Sequence, residues 1–308
     1  MMKRVTFLSA LLLLAIVVAA FTGCSDDEKT TNPVLQEGDT LDPTFVAFKQ
    51  GYDGVDEFTG MMLDVMFNLV DTVMNDTNNP NTKPVVFRTS LGVQADSMLI
   101  TYHSASQYWY FYIVETSGLD SVELIDSIQF IHGTTPVQWP DMAQLSEMKS
   151  GMSIYWAMGE AVVTASQAVS LAGDFATMGL VTANGSQQLN VAFTDHNVDV
   201  NSDSMFCHFD FSFTTNFDDV VVLLAEFDTG CPSSGTIVST GTAGINCMGD
   251  TDSVKYSGSW TVTQTFAGDT MTWVFENATT RWTQTEPCGP TVLKPSIMGF
   301  RPSIFTVR

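Results

Sequence analysis

Basic residues are what this sequence has least of: 12 Lys and Arg stand against 34 Asp and Glu, a formal net charge of −22 over 308 residues. Between Lys149 and Lys255 there is no base at all, while the same stretch holds twelve acids. A nucleic-acid surface needs clustered cations to displace condensed counterions, so nucleic acid is excluded as a partner. Charge of either sign is sparse, at 15% of residues against 44% hydrophobic, which excludes a disordered acidic chain. A nucleophile elbow, a P-loop, a dinucleotide fingerprint and an HExxH zinc motif are also missing. The five cysteines include no CxxC pair, so a thiolate metal or redox site has no sequence support. The four histidines, His103, His132, His196 and His208, are scattered. Only His208, two residues from Asp210 on one strand face, suggests a hydrolase, and no nucleophile accompanies it. The expectation is a protein that is not an enzyme and has no cofactor.

Lys3 and Arg4 precede an apolar run from Val5 to Phe21, and small residues Thr22 and Gly23 lead to Cys24. A basic start, a short apolar stretch and small residues describe an export signal. Phe21-Thr22-Gly23-Cys24 resembles a bacterial lipobox, which implies a signal peptide over 1–23 and lipidation of Cys24. Three acyl chains at ~0.8 kcal/mol per buried CH₂ would anchor the chain effectively permanently. Ser25 followed by Asp26, Asp27 and Glu28 resembles lipoproteins sent to the outer membrane and on to the cell surface. Residues 24–43, polar and acidic with Pro33 and Pro43, then read as a disordered tether. A membrane partner reached through this lipid anchor is the first expected partner.

With Cys24 lipidated, Cys207, Cys231, Cys247 and Cys288 remain, an even number in an exported chain and so two disulfides. If 205–222 is one strand and 235–246 runs antiparallel beside it, Cys207 lies near Cys247. Cys231 is then left at the opposite end for Cys288. The alternative joins Cys207 to Cys231 and Cys247 to Cys288.

Phe58, Met61, Met62, Val65, Met66, Leu69, Val70, Val73 and Met74 recur at spacings of three and four, predicting one helix over 53–75. Asp53, Asp56 and Glu57 fall at its expected N-terminal end, where carboxylates suit the dipole. Thereafter the period is two. Val122, Leu124, Ile128 and Phe130 share a face interrupted by Asp126; Met148, Met152, Ile154, Trp156 and Met158 alternate; so do Met205, Cys207, Phe209, Phe211 and Phe213. Consecutive strands joined by Gly, Asn and Asp turns predict an all-β fold: a large antiparallel sheet, sandwich or half-barrel, with the helix packed on it. The expected body is a single domain over 44–288, followed by an extended basic tail over 289–308 with Lys294, Arg301 and Arg308.

A helix across a curved sheet is similar to the half-barrel of bacterial lipoprotein carriers, a likeness of fold only. Gly230-Cys231-Pro232 and Gly258-Ser259-Trp260-Thr261-Val262-Thr263 resemble uncharacterised β-rich bacterial surface lipoproteins, as does Ile125-Asp126-Ser127-Ile128-Gln129-Phe130. The resemblance implies a fold relationship and no activity. Two non-enzymatic functions follow as expectations: a binding or structural module for a surface protein, or a carrier of a hydrophobic small molecule. The carrier would hold its ligand between helix and sheet, facing Met61, Met62, Met66, Met74, Trp156, Phe209 and Phe211. Asp199, Asn201 and Asp203 have the alternating oxygens of half a calcium loop but lack its glycine, and an Asx-rich turn accounts for them equally. Asp followed by Ser or Thr and an apolar residue recurs, at Asp120 and Asp126 among others, which resembles an O-glycosylation motif; turn chemistry accounts for it too.

Overall fold

Asp42-Pro43 is a helix start: an acceptor side chain at the N-cap, then a residue whose fixed φ and missing N–H suit the first helical position. In the computed structural model, Asp42 Oδ1 accepts the backbone N–H of Thr44 at 2.7 Å and of Phe45 at 3.2 Å. Helix α1 accordingly runs Pro43–Asp76, ten residues further toward the N-terminus than the periodicity predicted. The structure describes residues 35–76, 97–117, 120–200, 203–224, 232–250, 252–268 and 270–287. The signal, Cys24, Cys231, Asn201, Cys288 and the basic tail lie outside them, as do the side chains of Met61, Met66 and Met74. Two sequence expectations need correction here. Asp53, Asp56 and Glu57 stand mid-helix, because the Asp42 cap starts the helix sooner. The 24–43 stretch is not all tether either, since Gln36–Glu37 forms strand β1.

The remaining strands are β2 (Ser97–His103), β3 (Tyr108–Ser117), β4 (Asp120–His132), β5 (Thr135–Val137), β6 (Leu145–Met158), β7 (Ala161–Gly173) and β8 (Leu180–Val200). They are followed by β9 (Asp203–Leu223), β10 (Ser234–Met248), β11 (Ser253–Ala267), β12 (Thr270–Glu276) and β13 (Thr280–Pro287). All thirteen belong to one sheet in the order β1-β13-β12-β11-β10-β9-β8-β7-β6-β4-β3-β2, with β5 paired to β4. Neighbours along this path are antiparallel apart from β1, which pairs parallel with β13. The fold is therefore all-β, one large open sheet with a single helix among the described residues.

Alternation does the sorting. In β9, Met205, Cys207, Phe209, Phe211 and Phe213 are buried while His208, Asp210 and Ser212 are exposed. Gly185, at φ +148°, marks a register shift between β8 and β9, and a Cβ there would strike the Ala168 carbonyl of β7. The disulfide Cys207–Cys247 joins β9 to β10 directly across their ladder, with Cα atoms 4.0 Å apart. Closing a span of 40 residues, it contributes about 2–4 kcal/mol by restricting the unfolded chain.

Phe45, Ala47, Phe48, Gly51, Tyr52, Gly54, Val55, Phe58, Thr59 and Met62 are all buried. At 100° per residue they cover about half the helix circumference, wider than the stripe of a helix lying on a flat surface. Aromatic packing fills the contact. Phe45 stacks on Trp282 at 4.8 Å, Phe48 on Trp260 at 3.8 Å, and Tyr52 meets Phe213 edge-on at 5.4 Å. Gly51 lets the helix backbone settle on the sheet, since a Cβ there would lie 2.7 Å from Phe209 and 2.9 Å from Phe211, both fully buried. Gly51→Ala is expected to destabilise by about 1–2 kcal/mol in urea unfolding, overpacking outweighing the ~1 kcal/mol gain in helix propensity. A stabilised variant would show that these rings have room to move.

Candidate functional site

On the buried face of the sheet, one register row carries an unusual set of side chains. Reading across hydrogen-bonded neighbours, Asp126 of β4 pairs with Met152, Met152 with Gln167, Gln167 with Gln187, Gln187 with Thr215 and Thr215 with Ser239. Five of these six positions are polar and all six are buried. Beyond Ser239 the row turns apolar, through Val262, Phe275 and Trp282. Polar groups cost free energy when buried unless partnered, so a whole row of them calls for a reason.

α1 runs along this row. Phe45 packs on Trp282 and Phe275, Tyr52 lies beside Ser239, and Met62 Sδ accepts from Gln187 Nε2 at 3.2 Å. The lengths agree: residues 45 to 62 rise about 25 Å as a helix, and the five strand spacings from β13 to β8 amount to about 24 Å. Along this half the polar groups of the row itself are satisfied, although Trp260 Nε1, under Phe48 and off the row, has no partner among the described residues. Thr215 and Ser239 share a hydroxyl hydrogen bond of 2.8 Å. One row over, Gln264 Nε2 donates to Asp56 Oδ1 at 2.6 Å, and burial still pushes Asp56 up to about 6. Burial likewise holds the Tyr52 phenol un-ionised far above its ordinary range.

Past Met62 the accounting changes. Among the described residues Gln187 Oε1 has no hydrogen-bond partner, nor has either amide atom of Gln167. At the end of the row, Ser150 Oγ donates to Asp126 Oδ1 at 3.0 Å, while Asp126 Oδ2 has no partner among the described residues. Burial, partly offset by hydrogen bonds from Ser150 and the Ser127 backbone, pushes the Asp126 carboxyl up to about 7. The result is a line of hydrogen-bonding groups about 14 Å long, from Asp126 to Gln187, embedded in apolar surroundings. The line carries two amides and a carboxyl already bound to the Ser150 hydroxyl.

The predicted ligand-facing residues are placed differently. Phe209 and Phe211 lie under the helix at Gly51, Phe48 meets Phe211 at 6.0 Å, and Met62 sits on Gln187. Trp156 faces Phe58 at 6.3 Å. The four whose side chains are described therefore belong to the packed core, with Phe209 and Phe211 set directly against α1. His208 and Asp210 are exposed on the opposite face of the sheet, where the nearby Ser212 donates instead to Asn190 at 2.7 Å. Asp199 and Asp203 flank the β8–β9 turn, and no group of three metal-ligating side chains gathers among the described residues. The chain matches no protein-family model, no curated protein and no solved structure.

Gln167 and Gln187 escaped the sequence reading although a signal was present. Each interrupts an apolar alternation: Val163, Ala165, Gln167, Val169, Leu171, and Gln187, Leu189, Val191, Phe193. Only register could reveal that these interruptions align with Asp126.

Proposed function

We propose that this chain is a lipid-anchored lipoprotein of the outer membrane or cell surface, tethered through Cys24. It works without catalysis, as a binding module that carries a hydrophobic small molecule on the helix-covered face of its sheet. The carrying observation is the run of buried, unpartnered polar atoms from Gln187 to Asp126. Ring packing fills most of the helix–sheet contact from β9 to β13, which supports a ligand on the β4–β8 side instead. A folded protein gains nothing in stability from unsatisfied buried amides, whereas a binding site uses them to orient what it holds.

The test is mass spectrometry of the solvent extract of purified full-length protein. One predominant apolar compound near one equivalent is expected, and an empty extract from protein purified without detergent would refute the carrier. The anchor is tested separately by labelled-palmitate incorporation, expected in the native chain and lost in Cys24→Ser.

A second reading, docking of a surface protein, rests on the outer face. There Leu99, Tyr112 and Ile125 stand opposite one another on β2, β3 and β4, all exposed.

A further inference from the structure

The polar row says something about the chemistry of the ligand, given the carrier reading on which this inference rests. Gln167 offers both a donor and an acceptor, Gln187 an acceptor, and Asp126 one free carboxyl oxygen. An amide left with both halves free is complementary to a group that itself donates and accepts.

Charge narrows the class further. Among the described residues the cations are Lys49, Lys149, Lys255 and Arg281. Lys49 pairs with Asp53 on the helix, Lys149 with Glu147 and Arg281 with Glu276; Lys149 and Lys255 lie on the outer face of the sheet. None of the four stands in the row. A carboxylate or phosphate there would be desolvated beside Asp126 with none of the described cations to neutralise it. An ammonium would find one carboxyl oxygen, but the three free amide valences include a donor it has no means to satisfy.

We infer that the row from Gln187 to Asp126 is a head-group site selecting an uncharged amphiphile, one whose polar end carries hydroxyl or amide groups on an apolar chain. Gln167 is its central specificity residue, hydrogen-bonding the head in both directions, and Gln187 supports it from the neighbouring strand. Gln167 carries a stability cost. Replacing an unpartnered buried amide by a near-isosteric apolar side chain removes a desolvation penalty, so the protein would be more stable without it.

The experiment uses full-length protein held in amphipol, with empty amphipol as the blank, and four probes sharing a ten-carbon chain. They are monodecanoylglycerol, decanol, decanoate and decylamine, titrated calorimetrically at one pH. The two neutral probes are expected to bind at least tenfold more tightly than either charged one. Gln167→Met is expected to weaken monodecanoylglycerol at least tenfold and to raise Tm, and Gln187→Met to weaken it by a smaller factor. Equal or tighter binding of decanoate or decylamine would overturn the head-group inference and leave the carrier standing. Neutral preference unaffected by both methionine variants would also overturn it, the amides then serving only a buried water. No binding of any probe would refute inference and carrier together.

Discussion

Truncating Phe48 to alanine should cost about 3–5 kcal/mol, because it deletes a fully enclosed ring and leaves a cavity its neighbours cannot close. Phe48 is stacked on Trp260 at 3.8 Å and ringed by Tyr52, Phe211, Phe213 and Phe275, with centroids between 5.6 and 6.4 Å. These neighbours come from β9, β11, β12 and the helix itself, so no single shift fills the hole. For a body of this size the loss corresponds to roughly a 10 °C fall in Tm. Phe48→Leu should recover much of it. Tyr155→Ala, at an exposed ring, should change stability by no more than about 0.5 kcal/mol. Urea unfolding of the three variants provides the check, and a Phe48→Ala cost below about 1 kcal/mol would show that α1 is not seated as described.

Asp126→Asn should raise stability at pH 8 and leave it nearly unchanged at pH 4.5. The unfolded carboxyl titrates near 3.9, and the folded one is raised to about 7. Between those values the folded chain binds more protons than the unfolded chain, so stability falls as pH rises through the window and levels off above 7. About three pKa units correspond to a change on the order of 4 kcal/mol. Asparagine keeps an acceptor for the Ser150 hydroxyl and carries no charge to desolvate, so the fall should largely disappear. A shallower decline should persist from pH 4 to 6, because burial raises Asp56 in the same direction. Asp141 and Asp174 have the opposite sign: hydrogen bonds hold their carboxyls low, so their contribution is lost only as pH falls below that window. An unaltered pH slope in Asp126→Asn would mean that its carboxyl ionises freely in the folded protein.

The strands were legible because burial on one face imposes period two, and the long runs of β6 and β9 carry it without interruption. The Cys207–Cys247 pairing was legible for the same reason, since two well-bounded neighbouring strands fix which residues stand opposite. The first ten residues of α1 were not. Phe45, Phe48 and Tyr52 have helical spacing, but Gly51 and Gly54 each argue locally against a helix, and tertiary packing overrides them. Asp42-Pro43 was the decisive signal and sat inside a stretch that composition assigned to tether. The candidate site was half visible. Asp126 stands out as a charge on an apolar face, whereas glutamines are unremarkable until strand register lines them up.

The two ends of the described body meet. Trp282 Nε1 donates to the Asp39 carbonyl across 243 residues of sequence, β1 pairs with β13, and Asp56 takes its hydrogen bond from Gln264 across 208. Made from the N-terminus, α1 therefore emerges well before the strands that cover its aromatic stripe, and its native surface, begun by β6, β8 and β9, is completed only when β11–β13 follow. Contacts this distant in sequence slow folding and leave apolar side chains open to wrong partners meanwhile. The first helix waits for the last strand, so a chain cut short before β13 would present Phe45 without its Trp282 stack to whatever quality control meets it.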